Sequence, residues 1–335
     1  MKIQENTSLK KYNTFGIEVQ AKKIITITTQ TELQKILKEQ QEDYLILSGG
    51  SNILLTKDIK KTILYINNKG IKVKKETKTA VYIKANAGEN WHQFVQWAIQ
   101  NNYGGIENLS LIPGKVGTSP IQNIGAYGVE VKDTIHTVKA IEIKTGKKVK
   151  FKNKECDFGY RNSNFKNKEK GKYIITSVTY KLTKNKHKLQ YEYGAIKAEL
   201  LEKQIEKPTI QDISNAIIKI RQQKLPDPKE IGNSGSFFKN PVVTEAIYKK
   251  IKANKENMPY YKVKNNYKIP AGWLIEQSGF KGKRYGDAGV HKNQALVLVN
   301  YGKASGKEIL ELAKKIQKAV QSKFQIELEM EVNII

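Results

Sequence analysis

The chain has 335 residues, 39% of them hydrophobic, and this length is enough for two or three domains. One cysteine excludes an internal disulfide and a CxxC site, and the four histidines show no HxH or HxxxH spacing, so we expect no protein-built metal site. No apolar run is long enough to span a bilayer and the first residues lack the apolar segment of a signal peptide, so we expect a cytoplasmic protein without integral membrane contact.

The formal net charge of +27 is carried almost entirely by lysine, because only Arg161, Arg221 and Arg284 are arginine. A basic chain raises nucleic acid or an anionic membrane as partners. Nucleic-acid interfaces usually rely on arginine for bidentate and stacking contacts. We therefore expect a solvated lysine surface and no nucleic-acid partner. A second role of this charge, such as contact with an anionic membrane face, stays open.

The first segment alternates short strands with one helix. Apolar patterns predict strands at residues 22–28 and 62–67, and Thr29 with Glu32 forms a capping-box pattern that opens a helix over 31–41. The sequence SGGSN, residues 48–52, lies between two further apolar runs. Such a turn is typical of a hairpin, and its glycines would also let backbone N–H groups approach a pyrophosphate.

The second segment, from about residue 70, predicts strands at 80–88, 137–151 and 172–182 and a helix over 89–102. The apolar face of that helix predicts a packed core and consists of Trp91, Phe94, Val95, Ala98 and Ile99.

A long loop follows this helix and includes IPGKVGTSPIQNIGAYG, residues 112–128. Long runs without regular structure are usually functional loops or linkers. The apolar and small residues Ile121, Ile124 and Ala126 argue against a solvated linker. We therefore predict a groove lined by backbone for a large planar or phosphorylated ligand.

Two later positions have both a functional and an ordinary interpretation. Position 161 is an arginine, although lysine is the usual cation of this chain. A need for the planar fork of donors that a guanidinium provides would explain this choice, and an ordinary surface arginine is the alternative. Ser236 precedes two phenylalanines, so its hydroxyl could deliver a proton in an apolar setting, or simply cap a turn. The segment has no GxSxG pattern and no nearby histidine, which argues against a serine hydrolase.

The C-terminal region predicts a long helix that starts at Ser305, with Glu308 completing a capping box. A strand is predicted over residues 324–335, with Glu327, Glu329 and Glu331 on its polar face. Glu331 would be functional only if this strand returns to a cleft, and otherwise the carboxylates face solvent. The apolar face of the strand is predicted to consist of Ile326, Leu328, Met330, Val332 and Ile334.

These motifs together resemble the UDP-N-acetylenolpyruvoylglucosamine reductase (MurB) family along nearly the whole chain. The matching segments occur in the family's order, and they are NTFGI (13–17), LILSGGSNILL (45–55), GIENLSLIPGKVGTSPIQNIGAYGVEV (105–131), FGYRNSNF (158–165), KLPDP (224–228), GNSGSFFKNP (232–241), KIPAGWLIEQSGFKG (268–282), HKNQALVLVN (291–300) and LEMEV (328–332).

The resemblance implies an α+β fold with an FAD-binding part of the vanillyl-alcohol-oxidase type. It divides the chain into a first FAD-binding subdomain (1–69), a second (70–225 with 326–335) and a substrate-binding domain (226–325). It implies NADPH-dependent reduction of UDP-N-acetylglucosamine-enolpyruvate to UDP-N-acetylmuramate through bound FAD, a step of peptidoglycan precursor synthesis. We expect a monomer.

The resemblance also implies site residues. Arg161 and Glu331 would stabilise an enolate formed when hydride reaches C3 of the enolpyruvyl group, and Ser236 would then protonate C2. The loop of the family's first subtype carries a substrate-contacting tyrosine, which matches Tyr260 or Tyr261. The other substrate contacts would be Tyr160, Tyr193, Lys224, Asn240 and Gln294. The FAD contacts would be Gly49, Gly50, Ser51, Asn52, Ile53, Pro113, Gly114, Gly117, Thr118, Ser119, Asn123, Gly125, Ala126, Tyr127 and Gly128.

Two other functions remain as alternatives at this point. Another FAD-dependent oxidase or dehydrogenase of the same fold would act on a substrate other than a sugar nucleotide, and its reduced flavin would be oxidised rapidly by air. A basic nucleic-acid-binding protein without catalysis would be colourless and would bind DNA with a steep dependence on salt.

Overall fold

The computed structural model describes residues 1–39 and 42–335 of the chain. Its strands are β1 (Lys2–Ser8), β2 (Gln20–Ile27), β3 (Tyr44–Leu47), β4 (Ile53–Leu54), β5 (Ile59–Ile66), β6 (Ile71–Glu76), β7 (Ala80–Asn86), β8 (Gly125–Ala126), β9 (Val129–Glu130), β10 (Ile135–Glu142), β11 (Lys148–Lys152), β12 (Tyr173–Thr183), β13 (Gly232–Ser236), β14 (Val242–Val243), β15 (Tyr261–Val263), β16 (Asn266–Lys268), β17 (Arg284–Tyr285), β18 (Ala288–Val290), β19 (Val297–Asn300) and β20 (Asn333–Ile334). Its α-helices are α1 (Gln30–Glu39), α2 (Trp91–Gln100), α3 (Gly194–Glu202), α4 (Ile210–Lys224), α5 (Glu245–Asn254), α6 (Ala271–Gln277) and α7 (Gly306–Phe324).

The chain forms two compact units. The first unit contains Met1–Thr7, Ala21–Gly49 and Lys60–Arg221, and the second contains Ser8–Gln20, Gly50–Ile59 and Gln222–Ile335. Strands and helices both contribute to each unit. In the described parts of the chain, no helix has the length and apolar composition needed to cross a membrane.

The first unit contains a four-stranded sheet in the order β1-β2-β5-β3, in which β3 and β5 run parallel. Helix α1 packs its apolar side into a small core with this sheet through Leu33, Ile36 and Leu37. The predicted capping box is confirmed, because Glu32 N–H donates to Thr29 Oγ1 and Thr29 N–H donates to Glu32 Oε2, both at 3.1 Å. The predicted helix also included Gln40 and Gln41, which lie outside the described residues.

The same unit contains a five-stranded antiparallel sheet in the order β11-β10-β12-β7-β6. Helix α2 packs on one side of it. The rings of Trp91 and Phe94 contact the buried Tyr180 of β12, with centroids 5.8 Å and 5.0 Å away. The predicted apolar face of this helix is therefore confirmed as core. Helices α3 and α4 form a separate apolar cluster. Neither helix was predicted from the sequence.

The second unit is built around the sheet β13-β19-β18-β17, against which α7 packs. The capping box at Ser305 and Glu308 is confirmed. The apolar face of α7 is buried and includes Ile309, Leu312, Ala313, Ile316 and Val320. A second small sheet has the order β14-β16-β15, and β4 pairs in parallel with the C-terminal β20.

Two sequence interpretations are wrong. SGGSN does not join a hairpin, because β3 pairs with β5 whereas β4 pairs with β20 at the other end of the chain. In that parallel pair, Asn333 lies opposite Ile53 and Ile334 lies opposite Leu54. The continuous strand over 324–335 is reduced to a single bridge at Met330 and the two-residue strand β20. The predicted alternation survives at Ile326, Leu328 and Val332, which are buried, while Ile334 is exposed.

Candidate functional site

The predicted site residues fall in both units. Those of the first unit are Gly49, Pro113, Gly114, Gly117, Thr118, Ser119, Asn123, Gly125, Ala126, Tyr127, Gly128, Tyr160, Arg161 and Tyr193. Those of the second unit are Gly50, Ser51, Asn52, Ile53, Lys224, Ser236, Asn240, Tyr260, Tyr261, Gln294 and Glu331.

In the first unit the turn after β3 packs directly on the long loop. A Cβ atom on Gly49 would lie 2.8 Å from the Cα atom of Gly114, closer than side chains approach backbone, so only glycine fits there. Next to it, Ser48 Oγ is buried and has no hydrogen-bond partner among the described residues. An unpaired buried hydroxyl beside bare backbone fits a phosphorylated ligand that would supply the missing hydrogen bond.

Lys115 anchors the loop to the end of β5. Its ammonium donates to Tyr65 Oη at 2.9 Å, to the carbonyl of Ile66 at 3.0 Å and to Asn67 Oδ1 at 3.1 Å. Burial, with a smaller contribution from Lys69, lowers the pKa of Lys115 to about 8. Three hydrogen bonds use all three donors of the ammonium, so Lys115 holds the loop in place and has no donor left for a ligand.

The loop is also fixed from within by buried polar side chains. Asn123 adopts a left-handed backbone (φ 45°), and its side chain donates to the carbonyl of Gly159 at 2.9 Å and accepts from Lys132 N–H at 3.1 Å. Ser119 Oγ lies 2.8 Å from Tyr180 Oη. These residues were predicted as cofactor contacts, and the structure shows that Asn123 and Ser119 also shape the loop.

Arg161 lies against the same loop. Its Nη2 donates to the carbonyl of Gly125 at 2.6 Å, and a Cβ atom on Gly125 would lie only 2.9 Å from Nη1. Gly125 therefore makes room for the guanidinium. Arg161 itself has a left-handed backbone (φ 51°), which costs free energy for a non-glycine residue and is more frequent at functional sites than elsewhere.

The sequence analysis missed Arg221, near the end of α4. Its Nε is buried without a hydrogen-bond partner among the described residues. Burial lowers the pKa of Arg221, a hydrogen bond with Tyr127 opposes this, and the nearby positive charge of Arg161 lowers it further. No carboxylate within residues 1–39 and 42–335 forms an ion pair with Arg221. Two neighbouring guanidinium groups with such surroundings suit a carboxylate or phosphate ligand.

Tyrosines border these arginines. The rings of Tyr127 and Tyr193 meet edge to face with centroids 5.4 Å apart, and burial raises the pKa of Tyr127. Tyr160 and Tyr193 are both exposed. The structure thus brings Tyr127, Tyr193 and Arg221 into one group with Arg161. The scarcity of arginine, which singled out Arg161 in the sequence, would have identified Arg221 as well.

In the second unit the chain after Ser236 and the C-terminal segment lie side by side. Ser236 ends β13 opposite Val297 of β19 and is exposed, while Phe237 is fully buried. Glu331 N–H donates to the carbonyl of Phe237 at 2.8 Å. A hydroxyl and a carboxyl group that the sequence separates by 95 positions are therefore carried on adjacent backbone.

The second half of the SGGSN turn also contacts this C-terminal segment. Asn52 Nδ2 donates to the carbonyl of Glu331 at 3.3 Å, and the carbonyl of Asn52 accepts from Asn333 N–H at 3.1 Å. A Cβ atom on Gly50 would lie 1.9 Å from the carbonyl oxygen of Tyr12, so the turn can approach that backbone only with glycine. The predicted cofactor turn and the backbone of the predicted catalytic residue Glu331 are thus neighbours.

Two predicted substrate contacts have structural partners. Asn240 Oδ1 accepts from the N–H of Ala271 at the start of α6, at 2.9 Å, and Gln294 Oε1 accepts from Leu296 N–H at 3.3 Å. These bonds leave the amide nitrogens of both side chains as the groups that could donate to an anionic ligand. Lys224, at the end of α4, is exposed.

The tyrosine pair of the substrate loop is divided between two environments. Tyr260 packs on Tyr248 and Tyr267, with centroids 4.7 Å and 5.8 Å away. A hydrogen bond from the Tyr248 hydroxyl to Tyr260 is the main reason that the pKa of Tyr248 is raised to about 12. Tyr261 lies opposite Lys268 in the β15–β16 pair, and the Lys268 ammonium is 5.5 Å from its ring centroid.

Comparison with known proteins adds family matches to this geometry. Residues 227–335 match the family described as UDP-N-acetylenolpyruvoylglucosamine reductase, C-terminal domain, and residues 21–152 match the FAD binding domain family. The chain is 57% identical to the UDP-N-acetylenolpyruvoylglucosamine reductase of Flavobacterium johnsoniae, over 100% of both chains. It is 46% identical to that of Pseudomonas putida, over 99% of this chain and 98% of the relative.

A solved structure shows the same fold. The crystal structure of UDP-N-acetylenolpyruvylglucosamine reductase from Thermus caldophilus matches with a TM-score of 0.71 at 24% identity, covering 100% of this chain and 99% of that one. This match and the FAD binding domain confirm the predicted α+β fold class with its FAD-binding part.

Proposed function

The chain belongs to the UDP-N-acetylenolpyruvoylglucosamine reductase family, and we propose that it reduces UDP-N-acetylglucosamine-enolpyruvate to UDP-N-acetylmuramate with electrons from NADPH. The observation that carries this proposal is 57% identity to a reductase of that name over the full length of both chains. The product is a precursor of peptidoglycan. The proposal includes a cytoplasmic location and a monomeric enzyme.

The cofactor and the substrate bind to different predicted segments of the chain. Residues 1–69 and residues 70–225 with 326–335 bind FAD, and residues 226–325 bind the sugar nucleotide. The match of residues 21–152 to the FAD binding domain family supports the first assignment. The unpaired hydroxyl of Ser48 and the glycine contact between Gly49 and Gly114 fit the pyrophosphate of this cofactor.

The protein residues act on the substrate as follows, while bound FAD supplies the hydride chemistry. Arg161 and Glu331, the latter protonated or hydrogen-bonded, stabilise the electron-rich enolate that forms at the enolpyruvyl carboxylate. Arg221, whose Nε has no hydrogen-bond partner in residues 1–39 and 42–335, lies close to Arg161 and adds a second positive charge for that carboxylate. Ser236 then donates a proton to C2, and a weak acid suffices because an enolate carbon is strongly basic.

The remaining contacts position the nucleotide. Tyr160, Tyr193, Asn240 and Gln294 bind the substrate, and Lys224 binds its diphosphate. The family resemblance left Tyr260 and Tyr261 as alternatives for the tyrosine of the substrate loop. We assign this role to Tyr261. Tyr260 is packed on the rings of Tyr248 and Tyr267, whereas Tyr261 contacts no other aromatic ring among the described residues. Both tyrosines are exposed, and each has a lysine ammonium 5.5 Å from its ring centroid.

Replacing each tyrosine by phenylalanine separates these two roles. Tyr261→Phe should raise KM for the sugar nucleotide about tenfold with little change in kcat, because one hydrogen bond to a charged group is lost. Tyr260→Phe should leave KM nearly unchanged, because it keeps the ring that packs on Tyr248 and Tyr267. Steady-state kinetics of both variants test this assignment, and a raised KM in Tyr260→Phe alone would move the role to Tyr260.

The function itself is tested by NADPH oxidation with the purified protein, measured with and without UDP-N-acetylglucosamine-enolpyruvate. We expect a yellow protein whose oxidation of NADPH depends on the sugar nucleotide. A yellow protein whose NADPH oxidation does not depend on the sugar nucleotide would contradict the proposed substrate. It would favour another flavoenzyme of the same fold. A colourless protein that does not acquire FAD would contradict the cofactor assignment as well.

A further inference from the structure

The five-stranded sheet of the first unit has one face covered by α2 and an opposite face that carries lysines. In the register of this antiparallel sheet, Lys72 lies opposite Lys84, and Lys139 lies opposite Lys150. Directly opposite residues point to the same side of a sheet. We define the lysine face by six side chains, which are Lys72, Lys74, Lys84, Lys139, Lys150 and Lys181.

These lysines repel one another. Burial lowers the pKa of Lys84, and the charges of Lys139, Lys74 and Lys72 lower it further. At the other side of the face, burial, Lys150 and Lys181 lower the pKa of His136. Like charges that face each other across strands destabilise a sheet. The stability of the fold therefore does not explain this arrangement of lysines.

Nothing within the described residues neutralises this face. None of its six ammonium groups forms an ion pair there, whereas other lysines of the same unit do, such as Lys197 with Glu192 and Lys219 with Glu199. Five of the six side chains are exposed, and Lys84 is half-buried. The face therefore offers a concentrated positive charge to a partner outside the molecule.

We propose that the lysine face docks the protein on the surface of an anionic phospholipid membrane. Five strands spaced about 5 Å apart spread the charges over a surface about 20 Å wide, which suits a plane of headgroups. Lysine ammonium groups act as point charges and each adds attraction to such a plane. This docking is independent of the catalytic function proposed above.

A nucleic acid fits the same face less well. It carries none of the three arginines of the chain, which are the side chains that read bases and stack on them. Its aromatic residue Tyr82 is half-buried and packs edge to face on His136 with centroids 4.9 Å apart. The face therefore lacks a free aromatic platform of the kind that binds single strands.

The test is sedimentation of the FAD-loaded full chain with vesicles of phosphatidylcholine, with and without phosphatidylglycerol, at low and high salt. The face variant carries Lys72→Gln, Lys139→Gln and Lys150→Gln. A matched control carries Lys307→Gln, Lys314→Gln and Lys318→Gln, which remove the same charge from the exposed side of α7. None of the six positions belongs to the proposed catalytic or binding residues, so NADPH oxidation should be unchanged in both variants.

We expect the wild type to bind only the anionic vesicles and to be released by salt. The face variant should bind about a hundredfold more weakly, at about fivefold per lysine, and the control should bind like the wild type. Three results would overturn the proposal: no binding of the wild type to anionic vesicles, an equal loss in both variants, or tighter binding of the lysine face to a DNA duplex than to the vesicles.

Discussion

Replacing Ser236 by alanine is expected to stop product formation while NADPH still reduces the bound flavin. The proposed role of Ser236 begins only after hydride has reached the substrate, so the first half of the reaction does not need its hydroxyl. General acid catalysis contributes about 10²–10⁴-fold, and a loss of this size is expected in turnover. Ser236 is exposed at the end of β13, and its hydroxyl forms no hydrogen bond with another described residue, so stability should change little.

Rapid mixing without oxygen separates the two half-reactions of this variant. The matched control is Ser234→Ala, two positions earlier on the same strand, where Oγ donates to the carbonyl of Ile53 at 3.2 Å. Ser234 is buried, so this variant should lose about 1 kcal/mol of the free energy of unfolding and keep its turnover. Normal product formation in Ser236→Ala would rule out the proton-donor role.

Local patterns predicted α1, α2 and α7 because helix signals lie within a few residues, although α3 and α4 were not predicted. The capping boxes at Thr29 and Ser305 and the apolar face of α2 depend only on positions three or four residues apart. The hairpin interpretation of SGGSN failed for the opposite reason. The partner of β4 is β20, at the other end of the chain, and no local pattern reports such a pairing.

The candidate site shows the same limit. Arg161 was recognised because arginine is rare in this chain. The same rarity applies to Arg221, but only the structure shows that it lies beside Tyr127. Lys115 gave no signal at all, because lysine is the commonest cation of the sequence. Only the tertiary structure shows that its ammonium is buried with three hydrogen bonds. Composition identifies an unusual residue type, whereas contacts identify an unusual environment.

Replacing Glu331 by glutamine is expected to lower turnover by about a hundredfold or more with FAD still bound. The backbone of Glu331 is held on both sides, by the carbonyl of Phe237 and by the side chain of Asn52, and neither bond involves its carboxyl group. The glutamine should therefore occupy the same place and differ mainly in charge and in proton affinity. Losing one group that stabilises charge in a transition state commonly costs this much.

The neighbouring carboxylate Glu329 is the matched control for this prediction. It lies on the same segment, is exposed and forms an ion pair with Lys239, and exposed ion pairs contribute at most about 1 kcal/mol. Glu329→Gln should therefore retain both turnover and the yellow colour. If Glu331→Gln matched Glu329→Gln in kcat, the C-terminal segment would serve only to close the sheet with β4. If only Glu331→Gln lost activity, the pairing of this segment with the chain after Ser236 would be the means by which the fold brings a carboxyl group to the proton donor.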